Sequence, residues 1–213
     1  MRIGILGTGD VGRVLGSGLA SLGHEVKIGS RTPQKPEVKE WLKAAGPKTS
    51  AGSFAEAAAF GEMAVLATLW IGTENAIKLA GPQNLAGKIV IDTTNPLDFS
   101  AGAPRLSIGH VDSAGERVQR WLPQSKVVKA FNHVGNAHFI NPRFPDGPPT
   151  MFICGNDEGA KKTMTGLLEV FGWSVIDLGG IEGSRLLEPL AMLWITYGFR
   201  TNTWSHAFKL LRR

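Results

Sequence analysis

The sequence predicts an α/β fold, a doubly wound and mostly parallel sheet with a small C-terminal helical extension. Three observations predict it. Short apolar runs alternate along the chain with amphipathic stretches of helical period, the pattern of repeated β-α-β units. One run, Met63 to Thr68, is apolar without alternation, as a strand buried on both faces must be. Glycine and proline punctuate the boundaries between runs. With 213 residues, 43% hydrophobic and 19% charged, the chain suffices for one sizeable core and a small addition.

The first strand is Ile3 to Leu6, followed by Gly7, Thr8, Gly9, Asp10, Val11, Gly12 and a helix to Leu22. Three glycines in six residues are weak evidence in a chain with 27 of them. The context adds weight: the motif leaves a strand, opens a helix and is followed by a second strand, Glu25 to Ile28. The first glycine permits the tight turn, the second lets a pyrophosphate approach bare backbone, and the third lets helix and strand pack closely. A Rossmann dinucleotide site is therefore expected here. Where an NAD enzyme usually places Asp or Glu, the second strand ends in Gly29, Ser30, Arg31, with Lys35 four residues on. A hydroxyl, a guanidinium and an ammonium suit a 2′-phosphate, so the expected cofactor is NADP(H); a solvated basic turn is the alternative.

Later elements follow in order. A helix is expected over Val38 to Ala45, a short third strand at Thr49 and Ser50, and a helix from Phe54 to Phe60 with Ser53 and Glu56 as a capping box. Met63 to Thr68 is the fourth strand, Thr73 to Ala80 a helix, and Lys88 to Asp92 the fifth strand, ending in Thr93, Thr94, Asn95, Pro96 and Leu97. Asp98 to Gly115 reads as an irregular, mobile functional loop. Glu116 to Leu122 is a short helix and Lys126 to Phe131 a sixth strand leading to Asn132 and His133. Asn141 to Pro149 is a connector with four prolines, after which strand, helix and strand (151–154, 157–171, 174–178) extend the sheet as one more unit. The final helix places Leu186, Leu187, Leu190, Leu193 and Trp194 on one face, which would bury against a second subunit. The organisation expected is 1–148 as the NADP-binding core and 149–213 as the extension that completes an acceptor pocket and a dimer interface.

Ligands of such sheets lie beyond the carboxyl ends of the strands. Thr68, Leu69 and Trp70 end the fourth strand, and Trp70 either walls a nicotinamide site or covers the next helix. Of the five histidines only His133 sits at a strand end, where it is either a general acid or a histidine satisfied by loop backbone. The stretch Ser184 to Thr196 holds no lysine, which disfavours a carbonyl acceptor needing a general acid. His133 and His138 lack a third ligand at metal spacing, and no metal is expected. Cys154 reads as a buried, inert thiol.

The net charge is +5, but the basic residues are scattered without a nucleic-acid motif, so nucleic acid is not an expected partner. No secretory leader pattern precedes the first strand and no apolar run reaches the ~18 residues of a spanning helix, so no membrane association and a cytoplasmic location are expected.

Gly7 to Gly12, Gly29-Ser30-Arg31, Asn95-Pro96-Leu97, Lys129-Ala130-Phe131-Asn132, and Gly179-Gly180 through Arg185-Leu186-Leu187-Glu188-Pro189-Leu190 together resemble the coenzyme F420-dependent NADP oxidoreductase family. The tail Ala207 to Leu211 is similar to family tails, and the cytosolic domains of six-transmembrane ferric reductases are similar too. The resemblance implies direct hydride exchange between NADPH and coenzyme F420, or FMN or FAD as acceptor, in a homodimer. It implies that Gly7, Thr8, Gly9, Asp10, Val11 and Gly12 hold the pyrophosphate, and that Ser30, Arg31 and Lys35 hold the 2′-phosphate. Thr68, Leu69, Trp70 and Asn95 would line the ring pocket, with Asn132 and His133 as catalytic candidates. Archaeal members resemble a His-Thr pair where this chain has Asn132-His133. Two other readings stand beside it, an NADPH-dependent ferric or flavin reductase and an NADPH-sensing protein without turnover.

Overall fold

In the computed structural model, which describes residues 1–212, eight strands form one sheet whose two faces are both covered by helices. In chain order the elements begin β1 (Arg2–Leu6), α1 (Asp10–Ser21), β2 (Glu25–Gly29), α2 (Pro36–Ala45), β3 (Thr49–Gly52) and α3 (Phe54–Phe60). They continue with β4 (Met63–Leu66), α4 (Trp70–Ala80), β5 (Ile89–Asp92), the short β6 (Leu97–Asp98) and β7 (Arg105–Leu106), α5 (Ala114–Trp121) and β8 (Lys126–Lys129). The last are β9 (Thr150–Gly155), α6 (Glu158–Val170), β10 (Ser174–Asp177) and α7 (Ser184–Thr201). The strand order is β10-β9-β8-β5-β4-β1-β2-β3, the doubly wound α/β arrangement expected.

Side-chain alternation explains why both faces need cover. Ile3 and Ile5 point into one cluster with Leu15, Leu19 and Phe171, while Leu6 and Leu66 point into the other with Ala57, Ile77 and Val118. Each such fully buried aliphatic side chain contributes roughly 1.5–3 kcal/mol. The capping box before α3 forms as expected: Ser53 Oγ accepts from the Glu56 amide at 3.2 Å, and Glu56 accepts from the Ser53 amide at 2.7 Å.

Several expectations are corrected. β3 runs on to Gly52, and β4 stops at Leu66, so that Leu69 caps α4 and Trp70 is its first residue rather than a strand-end loop residue. Asp98 to Gly115 is not irregular throughout: β6 and β7 pair antiparallel, an Arg105–Asp98 ion pair of 2.8 Å ties them, and Ser107 donates its amide to the Pro96 carbonyl. β9 is antiparallel to β8, so the last strand-helix-strand unit enters reversed instead of repeating the parallel pattern. The five apolar residues assigned to one face of α7 occupy two: Leu187 and Trp194 are buried, Leu186 and Leu193 exposed. A helix that packs on the core with 184, 187, 188, 191, 194 and 198 leaves 186 and 193 on its far side.

Candidate active site

The strand pairing sets a single rim. Leu6 is in register with Gly29 and with Leu66, Leu66 with Asp92, and Asp92 with Lys129. The carboxyl ends of β2, β1, β4, β5 and β8 therefore form one row, and the segments that follow them rise from one edge. Between β1 and β4 the chain order reverses, which makes the crevice there the natural ligand position of this architecture.

At β1 the glycine turn has the shape an anion needs. Gly7 is buried with φ +137, and a Cβ on it would lie 2.1 Å from the Ala67 carbonyl oxygen. A Cβ on Gly12 would lie 2.5 Å from the Gly7 oxygen, so α1 starts directly against the turn. Gly9 is exposed, and nothing lies within 4 Å of where its Cβ would be. It is the N-cap of α1 without a capping side chain, so the first-turn N–H groups of Asp10 and Val11 keep their donor capacity toward the rim. The Asp10 carboxylate is drawn to Arg13 at 2.5 Å, leaving its backbone as the part suited to a phosphate. Thr8 and Val11 are half-buried beside it.

At the end of β2, Ser30 is buried and its Oγ accepts from the Thr32 amide at 3.0 Å, which leaves the hydroxyl proton for another acceptor. Arg31 and Lys35 are exposed, as a pair awaiting an anion would be. At the end of β4, the Thr68 and Thr73 hydroxyls meet at 2.8 Å. Trp70 stacks on Trp121 of α5 with centroids 5.5 Å apart and planes at 22°, so one face of its ring packs against that helix. The uncovered apolar groups at this edge are Leu69, 80% exposed, and Ile71, 95% exposed.

Asn95, Asn132 and His133 do come together. Asn95 Nδ2 donates to the Asn132 carbonyl at 2.7 Å, while Asn132 Nδ2 donates both to Asn95 Oδ1 at 3.0 Å and to the Leu187 carbonyl at 2.9 Å. His133 Nε2 accepts from the Phe152 amide at 3.4 Å, which leaves Nδ1 as the protonated nitrogen, 3.2 Å from Asn132 Oδ1. The imidazole is 1% exposed, and burial pulls its pKa from 6.5 down to about 4. It is neutral, enclosed and paired on both nitrogens. The geometry departs from the expectation of a general acid facing substrate: His133 orients Asn132.

Beneath this pair lies a cluster that sequence reasoning missed. Lys129 is fully buried, with its Nζ 2.8 Å from Asp92 Oδ2 and 2.9 Å from Glu188 Oε1. Asp92 Oδ1 also accepts from the Thr94 amide and hydroxyl, and Glu188 accepts from the Ala114 and Gly115 amides that open α5. Burial alone would lower the Lys129 pKa; the Asp92 and Glu188 carboxylates outweigh it and hold it above the ordinary lysine value. The signal was a lysine closing a central apolar strand and a glutamate in an apolar helical run, but their partner is visible only in three dimensions.

Nearby, Glu116 is held below its usual carboxylate range by the Arg185 guanidinium, which bonds both of its oxygens. Cys154 is buried and its thiol is pushed up to about 11 by that burial, as an inert cysteine should be. Between the 106–110 turn and α7 runs an open groove of about 680 Å³, lined by Leu106, Ile108, His110, Arg185, Leu186 and Pro189. No helix among the described residues is long and apolar enough to cross a membrane, and no cluster of three or more His, Cys, Asp or Glu among them is placed to hold a metal ion.

A family model described as NADP oxidoreductase coenzyme F420-dependent matches residues 2–96. An F420-dependent NADP reductase of Methanocaldococcus jannaschii is 36% identical over 209 residues, which cover 92% of this chain and 91% of the relative. The Metalloreductase STEAP3 of Rattus norvegicus is 30% identical over 197 residues, 90% of this chain but only 37% of that protein. A crystal structure of a candidate F420-dependent NADP-reductase from Arthrobacter sp. FB24 has a TM-score of 0.95 at 41% identity, with 100% of both chains covered.

Proposed function

Since the chain belongs to the coenzyme F420-dependent NADP oxidoreductase family, we propose that it transfers hydride between NADP(H) and coenzyme F420 in the crevice above β1, β4, β5 and β8. The observation that carries this reading is the open, uncapped amide cradle at Gly9, with Ser30, Arg31 and Lys35 beside it on the same rim. The cradle fits a pyrophosphate because a Cβ is excluded at Gly7 and Gly12, while the position a Cβ would take at Gly9 is free of neighbouring atoms.

In this reading the amides of residues 7–12 hold the pyrophosphate, and Ser30, Arg31 and Lys35 hold the 2′-phosphate through charge-assisted hydrogen bonds. Thr68, Leu69 and Asn95 border the ring pocket, and Leu69 and Ile71 supply apolar surface that excludes water from it. Asn132 and His133 act by orientation, since the enclosed His133 ring lies 3.2 Å from the Asn132 carboxamide oxygen and not open to the crevice. Reduced nicotinamide supplies the hydride and the acceptor ring takes it, so placement at van der Waals distance replaces proton transfer as the main demand on the protein.

Residues 1–148 carry the cofactor, and 149–213 complete the acceptor side through α7 and the groove it closes with the 106–110 turn. The exposed face of α7, with Leu186, Leu193 and Tyr197 at 66%, 58% and 51%, supports pairing with a second copy of the chain. A free, reduced Cys154 fits a cytoplasmic location. The similarity to part of a metalloreductase keeps one second reading, reduction of a flavin or ferric acceptor. Steady-state assays with NADPH and, separately, F420, FMN, FAD and a ferric chelate test the choice. Oxidation of NADPH that requires F420 is expected; oxidation driven only by flavin or iron favours the second reading. Tight NADPH binding with no acceptor reduced rejects both.

A further inference from the structure

The Lys129 cluster is unusual in three respects. It places three ionisable groups where almost no water reaches, with exposures of 0%, 0% and 2% for the Lys129, Asp92 and Glu188 side chains. It joins elements far apart in the chain: the end of β5, the end of β8, the first turn of α5 and the second turn of α7. And its α7 member, Glu188, immediately follows Leu187, whose carbonyl receives the Asn132 carboxamide.

A buried ion pair is weak evidence for stability, because desolvating the charges offsets their attraction; its best-attested use is to fix one register among several. Between the surface Arg185–Glu116 pair and the tail contact of Trp194, α7 has one buried device of this kind, Glu188. Around Glu188 its core-facing groups are the apolar Leu187 and Ala191; the Arg185–Glu116 pair holds its first turn, and Trp194, bonded to the His206 carbonyl, holds its far half against the C-terminal tail. Pro189 inside the helix removes the N–H that would bond the Arg185 carbonyl, loosening the helix beside Glu188. A carboxylate that must meet one ammonium and two amides has a single solution, and that solution brings the Leu187 carbonyl to Asn132.

Resting on the hydride-transfer reading above, we infer that Lys129 is a positioning residue: through Glu188 it locks the register of α7, so that the Leu187 carbonyl holds the Asn132 carboxamide, which in turn holds Asn95 at the rim. The lysine touches neither cofactor nor acceptor. Its effect is on the distance between the cofactor side of the crevice, built by β1, β4 and β5, and the acceptor side, built by α7.

Two variants test this, Lys129→Met and Glu188→Gln, the second retaining side-chain shape and one acceptor for the α5 amides. Calorimetry with NADP counts intact cofactor sites, turnover at saturating NADPH and acceptor is expressed per site, and the Glu188→Gln variant is crystallised. The expectation is an NADP Kd unchanged within about twofold, turnover per site lowered by roughly ten- to a hundredfold, and Asn132 Nδ2 beyond hydrogen-bond reach of the Leu187 carbonyl in the crystal. Unchanged turnover per site, with only melting temperature or the number of NADP sites reduced, marks a merely structural role and overturns the inference, as does an intact Asn132–Leu187 bond. If Lys129→Met does not fold, Glu188→Gln decides alone. If the wild-type protein reduces none of the acceptors, the hydride-transfer reading falls, and the crystal structure of Glu188→Gln alone decides whether the cluster holds Asn132.

Discussion

The two sides of the rim are built from different materials. The side proposed for the phosphates is backbone: six consecutive residues, Gly7 to Gly12, form the turn, with exposed cations beside it. The opposite side is side chain: Asn95, Asn132 and His133 tied to Phe152 and Leu187, above Lys129 with Asp92 and Glu188. On the proposed function the first side would hold a charged ligand that water also stabilises, so it can remain exposed. On the same proposal the second would keep amide groups still against a ring, and burial with fully paired hydrogen bonds is how proteins hold polar groups still.

The sharpest break of that contrast is Gly7→Ala. A Cβ 2.1 Å from a backbone carbonyl, at a φ of +137 that L-residues avoid, cannot be relieved by a side-chain rotation. We expect a loss of about 4 kcal/mol in stability together with NADP binding, read by urea titration and calorimetry. A variant that melts like wild type and binds NADP would show that the turn is not a tight backbone cradle.

His133 breaks the other side through pH. The folded imidazole stays neutral down to about 4, whereas the unfolded chain takes up the proton near 6.5. The unfolded state binds more protons in that window, so His133 contributes stability that is complete above 6.5 and is lost as pH falls toward 4, on the order of 3 kcal/mol. The unfolding free energy of wild type minus that of His133→Gln should fall by that amount across the window. Parallel curves for the two proteins would mean that the imidazole is not enclosed.

Arg31→Ala sharpens the contrast, because an exposed cation should affect ligand choice and not folding. NADP affinity should drop between about ten- and a hundredfold while NAD affinity and melting temperature hold, and an equal loss for both dinucleotides would remove the 2′-phosphate assignment. The smallest effect is expected at Trp70. A double-mutant cycle of Trp70→Ala and Trp121→Ala should return a coupling of about 1 kcal/mol in stability with little change in NADP affinity. A large loss of NADP affinity with negligible coupling would instead restore Trp70 to the wall of the ring pocket.

The legible parts were those whose meaning is complete within a few residues. The strand-turn-helix geometry of residues 7–12, the Ser53–Glu56 cap and the buried Cys154 each read correctly from neighbours in the chain. Other features needed a partner that only the fold supplies. Trp70 sits at a strand end by sequence, but Trp121 takes its face. His133 stands where a proton donor belongs, but Phe152 and Asn132 occupy its nitrogens. β9 follows a proline-rich connector that lets the chain re-enter antiparallel, and apolar runs of that length carry no mark of direction.

Local chemistry along the chain thus determined the α/β alternation, the glycine turn and the charge offered beyond β2, because turn geometry, capping and periodicity act over fewer than about ten residues. Which face of α7 is covered, which side chains meet Lys129, and which of the strand-end residues remain open to a ligand were decided only when the strands came into register. Those outcomes depend on pairings such as residues 92 with 129 and 129 with 188, whose two members lie 37 and 59 positions apart and meet only after the sheet has formed.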